Sequence, residues 1–158
     1  DHSAGVRGMK PDLDTVTRMV EEQSSSRKLS DREHQEQCAL VEWAALQKRA
    51  CPELDMLVAV PNGGLRHPAV AAKLKKSGTR AGYPDLLMDV ARAGYHGLRI
   101  EMKAGRNKTS AEQDGWIERL TAQGFLCYVA YGWTTAKDLI LNYLAGSPVP
   151  GLVHKGAA

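Results

Sequence analysis

The chain has 158 residues, enough for one domain that buries a core without help from disulfides. Hydrophobic content of 43% and charged content of 25% are those of an ordinary globular protein and exclude a disordered or collagen-like chain. The formal net charge of +3 points to no partner by itself, and no apolar run is long enough for a transmembrane helix.

Asp1 to Gly8, ahead of Met9, reads as a tag remnant and stays outside the fold reasoning; no signal-peptide core is visible there. A first, peripheral helix is expected from about Leu13 to Gln23, followed by a polar linker, Ser24 to Lys28. Residues 1–29 are thus read as an N-terminal arm, residues 30–146 as the domain, and residues 147–158 as a loose tail. Ser30 or Asp31 can cap the next helix, which should end near Arg49, before Cys51-Pro52. On that helix Glu36, Leu40 and Trp43 share a face, so a carboxylate points inward.

Leu57 to Val60 reads as a strand, and Pro61-Asn62-Gly63-Gly64 breaks the chain. His67 to Ser77 reads as a helix with Pro68 in its first turn. Gly78 to Gly82 is a glycine-rich loop. Leu86 to Val90 and Gly97 to Lys103 read as strands joined by Ala91 to His96. Ser110 can cap a helix to about Gln123, Phe125 to Tyr131 reads as a strand, and Thr134 to Leu144 as a closing helix. This order predicts an α/β domain, a mixed sheet with helices on both faces.

Charge is unevenly spread. Pro61 to Ser110 holds ten basic residues against three acidic ones. A basic middle suits a polyanion such as DNA, although a solvated face gives the same count. Cys38, Cys51 and Cys127 are odd in number and show no CxxC spacing, which argues against a disulfide scaffold or zinc cluster and for a reducing, cytoplasmic setting.

Within Leu98 to Lys103, strand alternation sends Leu98, Ile100 and Met102 to one face and Arg99, Glu101 and Lys103 to the other. Glu101 and Lys103 then project together, about 6 to 7 Å apart. A hairpin turning between Ala93 and Gly94 sets Asp85 opposite Met102, and a small register shift would set it beside Glu101. Two carboxylates and a lysine suit phosphodiester hydrolysis. Hard oxygens bind Mg²⁺ or Mn²⁺, and Lys103 can orient or deprotonate water or steady phosphoryl charge. A lone ExK would suit a salt-bridged surface better, so the pairing with Pro84-Asp85 carries the reading.

These residues resemble the virus-type replication-repair nuclease (VRR-NUC) family of the PD-(D/E)xK superfamily. The match rests on Glu36-Gln37 ahead of Leu40-Val41-Glu42-Trp43, on Pro61-Asn62-Gly63-Gly64, on Gly78 to Asp85, and on Ile100-Glu101-Met102-Lys103 with Ser110-Ala111-Glu112-Gln113. The resemblance spans about Asp31 to Leu144. It implies a restriction-endonuclease-like fold and divalent-metal DNA hydrolysis centred on Asp85, Glu101 and Lys103. It also implies a helix-borne glutamate, mapped to Glu36 with Glu33 and Glu42 as rivals, and a helical glutamine, Gln113. The expected metal ligands are Asp85, Glu101, Glu36 and the Met102 carbonyl. Asn62, Arg66, Arg80, Tyr83, Arg106 and Lys108 are the expected DNA contacts. Small members resembling this chain are mostly phage or bacterial proteins, and the family likeness implies a homodimer acting on branched DNA such as four-way junctions. Competing readings are a DNA-binding module without chemistry and a sequence-specific restriction-type nuclease.

Overall fold

The computed structural model describes residues 13–61 and 67–150. The elements are α1 (Leu13–Gln47), a 3₁₀ turn (Pro52–Met56), β1 (Leu57–Ala59), α2 (Pro68–Lys76), β2 (Leu86–Met88), β3 (Leu98–Lys103), α3 (Ala111–Ala122), β4 (Leu126–Tyr131) and α4 (Trp133–Leu144). The sheet runs β1-β2-β3-β4. β1 with β2 and β2 with β3 are antiparallel, while β3 and β4 are parallel. This is the mixed α/β architecture that the element order predicted. Among the described residues no helix is long and apolar enough to cross a membrane.

Strand alternation decides which helix covers which face. Leu98, Ile100 and Met102 of β3, with Leu126, Tyr128 and Ala130 of β4, share one core with Leu40 and Ala44 of α1 and with Ala136, Leu139, Ile140 and Tyr143 of α4. On the reverse face Cys127 and Val129 pack with Ile117 and Leu120 of α3. All three cysteines are free.

The chain from Leu13 to Gln47 is one helix, not two helices and a linker. Ser24 to Ser26 do not break it. Serine costs a helix only tenths of a kcal/mol, and no Gly or Pro interrupts the segment. Ser30 and Asp31 therefore lie inside α1 rather than at its cap, and the helix crosses the expected boundary at residue 29. At the other end, Tyr128 Oη donates to the Val149 carbonyl, and Ser147 N–H to the Asn142 carbonyl at 3.0 Å, so the tail starts tethered. Residues 1–8, with the suspected tag, and 151–158 fall outside the described residues.

The β2–β3 hairpin sets the site. Its turn lies where expected: Arg92 bridges Tyr95 around Ala93 and Gly94, whose φ values are 50° and 85°. Further along, Leu86 pairs with Ile100 and Met88 with Leu98. Between turn and ladder, Asp89, Val90 and Ala91 oppose only His96 and Gly97, which makes a one-residue bulge. The bulge shifts the register by one and carries Asp85 from the Met102 face to the Glu101 face. Positive φ at both turn positions favours Asn or Gly, and Ala93 pays strain there. Ala93→Asn is expected to stabilise the protein by about 0.5 to 1 kcal/mol, read as a higher midpoint in urea.

Candidate active site

β3 carries Arg99, Glu101 and Lys103 on the α3 face, exposed by only 5%, 2% and 4%. Charges buried this deeply need partners. Asp85 arrives just before β2; its carbonyl accepts Val60 N–H at 2.7 Å and its Oδ2 accepts Met102 N–H at 2.8 Å. Glu101 Oε1 lies 3.1 Å from Lys103 Nζ and accepts the side-chain amide of Gln113. Gln113 is held in turn by a capping box at the start of α3: its Oε1 accepts Ser110 N–H at 2.8 Å, and its own N–H donates to Ser110 Oγ at 3.3 Å. One residue thus closes the helix end and orients the carboxylate. Gly82 lets the loop before Asp85 press on α3, because a Cβ there would stand 2.7 Å from the Glu112 carbonyl carbon.

Burial pushes Glu101 up to about 8, with the Asp85 charge adding to it and Lys103 opposing it. Burial also raises Asp85, against the pull of Met102 N–H and Lys103. Glu101 Oε2 is buried without a hydrogen-bond partner. Two acids raised by burial, Glu101 further raised by the Asp85 charge, beside an orphaned oxygen make a site short of positive charge. The donor set fits a hard divalent ion. Asp85 and Glu101 supply carboxylate oxygens, and the Met102 carbonyl faces the same strand edge as its N–H. Among the described residues no three acidic, histidine or cysteine side chains form a ready ion cage. Two carboxylates and a carbonyl suit an ion that keeps several waters.

Glu36 does face inward, as its spacing with Leu40 predicts, and it meets the start of α4. Its Oε2 accepts Trp133 N–H at 2.7 Å. The N-cap of α4 is Gly132, which has no side chain to do this, so α1 supplies the cap from outside. Glu33, one turn earlier, is the acid that approaches the site: its Oε1 lies 4.0 Å from Lys103 Nζ and accepts Asn107 Nδ2 at 2.7 Å. Gly105 explains the approach, since its position beside Leu29 and Arg32 lets the segment after β3 fold over α1. Glu42 is exposed on α1.

The expected DNA contacts separate. Arg80, Arg106 and Lys108 are exposed, and none forms an ion pair among the described residues. Asn62 and Arg66 lie outside the described residues. Tyr83 is half-buried, packed edge-on against Trp116 with 5.0 Å between ring centroids. Its hydroxyl accepts Arg99 Nε–H at 3.2 Å. Arg99, one of the ten basic residues of the middle segment, is buried and adds nothing to a basic surface. It pairs with Asp89 at 3.0 Å and lies 4.1 Å from the Phe125 ring centroid, tying the loop before Asp85 to the sheet. Arg92 likewise turns inward, to Glu53 at 2.7 Å and the Leu144 carbonyl at 3.3 Å. Strand alternation placed Arg99 on the site face, but nothing local in the sequence signals the lid of Tyr83 and Phe125 over it.

A family model, the VRR-NUC domain, matches residues 19–133. A solved structure described as a VRR_NUC domain protein is 34% identical, with a TM-score of 0.62, covering 77% of this chain and 97% of its own. No curated protein matches the chain. With a mixed sheet of this order, a carboxylate pair and lysine on its central hairpin, and a family match across most of its length, the chain belongs to the VRR-NUC domain family of nucleases.

Proposed function

We propose that the protein is a Mg²⁺- or Mn²⁺-dependent endonuclease that hydrolyses DNA phosphodiester bonds, selective for branched DNA such as four-way junctions and acting as a homodimer in the cytoplasm. The observation that carries the hydrolytic reading is Glu101: a buried carboxylate that feels the Asp85 charge, with one oxygen fixed by Lys103 and Gln113 and the other buried without a hydrogen-bond partner. Asp85, Glu101 and the Met102 carbonyl would hold the ion. When bound, the ion supplies an acidified water and neutralises phosphoryl charge. Gln113 holds Glu101 Oε1, which would leave Oε2 available to an ion. Lys103, set between Glu101 and Glu33, offers its remaining N–H to the attacking water or to a phosphate oxygen. Junction selectivity and a two-fold pairing of active sites rest on the family likeness, since symmetric cleavage needs two sites held by one interface.

The test is cleavage of four-way junctions, flaps and plain duplex of equal length with Mg²⁺, Mn²⁺ and EDTA. Metal-dependent nicking with the junction cut fastest is expected. Intact DNA that remains bound in every metal would leave only a binding module, and discrete fragments from linear duplex would point to sequence recognition.

The helix-borne acid of the site is proposed to be Glu33. Glu33→Gln should lower turnover about tenfold or more with little change in stability. Glu36→Gln should do the opposite, costing about 1 kcal/mol through the weakened α4 cap. Paired rate and urea-midpoint measurements decide the assignment, and an inactive, fully stable Glu36→Gln protein would return the role to Glu36.

A further inference from the structure

We infer that α2 and the turn behind it grip the phosphate backbone of the DNA arm next to the cut. The inference rests on the nuclease reading above and names the part of the protein that meets its substrate. α2 has nine residues and none of them is buried. Val70 is 48% exposed, and only Leu74 is half-buried. A helix this short is marginal in water without a packing surface, so a partner is missing from its open side.

Charge states what the partner is. Lys73, Lys75 and Lys76 crowd its last turn, and no acid lies between Pro68 and Lys76. None of the three forms an ion pair among the described residues. The helix dipole places only about half a negative charge at that end, less than one lysine satisfies. Arg80 follows, exposed, four residues after Lys76.

Position ties this cluster to the site. Thr79 N–H and Ser77 Oγ–H both donate to the Leu74 carbonyl at 3.0 Å, which locks the turn onto the helix. Trp116 Nε1–H donates to the Ala81 carbonyl at 3.0 Å, and Gly82 rests on α3. From Lys76 the chain reaches Asp85 within about 30 Å even fully extended, less than one turn of duplex. The lysines therefore meet phosphates on the DNA arm that enters the site rather than on a remote one.

The experiment replaces all three lysines by glutamine (K73Q/K75Q/K76Q) and measures binding to junction and duplex DNA by fluorescence anisotropy, in EDTA, across a NaCl series. The slope of log affinity against log salt should fall by about 2 to 3, with affinity down at least tenfold at 0.1 M salt. The melting temperature should stay within about 2 °C, since α2 packs no buried side chain. A control that removes two charges from the turn after α1 (K48Q/R49Q) should move the slope by less than 1. A triple variant with wild-type slope and affinity, or one no different from the control, overturns the inference. So does a wild-type dimer that the triple variant dissociates while its salt slope holds, for then α2 serves a second copy of the chain. Hydrolysis of an aryl phosphodiester by the wild-type protein with Mn²⁺ reports on the chemistry alone: its failure beside an altered slope would sink the nuclease reading and leave the grip standing.

Discussion

Replacing Lys103 by methionine is expected to lower turnover on DNA by about a thousandfold while changing DNA affinity by less than about threefold. The asymmetry follows from burial. Lys103 is only 4% exposed, so it lies too deep to add to a general electrostatic grip on DNA. Its Nζ is 3.1 Å from Glu101 and 4.0 Å from Glu33, a position defined by the acids of the site and aimed at whatever sits between them. A positioned donor or base of this kind contributes about 10² to 10⁴ in rate. Methionine fills the same volume and keeps the strand packed, so a loss of rate is not a loss of fold. Alanine should lose turnover equally but also stability, because it leaves a cavity and a buried carboxylate without its cation. Arginine should fail to rescue, since a planar fork does not fit a slot cut for a single ammonium. Single-turnover rates with saturating Mn²⁺, beside anisotropy with EDTA, make the comparison. A methionine variant within tenfold of wild type would remove Lys103 from the chemistry.

Much of this site was legible because it depends on period-2 alternation, the most local rule a strand obeys. Leu98 to Lys103 alternates cleanly, and the set on the α3 face is the charged triplet. The turn at Ala93-Gly94 was legible too. What the sequence hid was the bulge at Asp89 to Ala91, since one unpaired residue leaves no mark in composition yet decides which face Asp85 occupies. Glu33 and Glu36 were inseparable for a related reason. Both lie one turn apart on nearly the same helix face, and only the packing of α1 against α4 and the fold of Gly105 over α1 distinguish a cap from a neighbour of the site. The serine run in α1 is the opposite case: its weak local propensity resembles a break, but without Gly or Pro the helix runs through it.

Glu101→Gln should make the metal-free protein more stable than wild type at pH 8 and abolish its response to Mg²⁺. Glu101 is raised in the folded state to about 8 from an ordinary 4.5, chiefly by burial. A folded protein that binds this proton more tightly than the unfolded chain has the full benefit below about pH 4.5 and loses it as pH climbs through about 8. Stability of metal-free wild type should therefore decline across that window, by on the order of 2 to 4 kcal/mol. Glutamine is a fixed neutral mimic of the protonated acid: its carbonyl can still accept from Lys103 and Gln113, while its amide fills the orphaned Oε2 position with a neutral donor. The decline should flatten accordingly, leaving the smaller contribution of Asp85, which is raised in the same direction. Saturating Mg²⁺ should invert the order, because an ion that binds only the folded state stabilises wild type by mass action and finds one carboxylate missing in the variant. Urea midpoints at pH 5, 6.5 and 8, with and without Mg²⁺, give the whole pattern. If the two metal-free proteins lose stability in parallel as pH rises, Glu101 is not held neutral by its surroundings, and the site's demand for a cation must be carried by some other group.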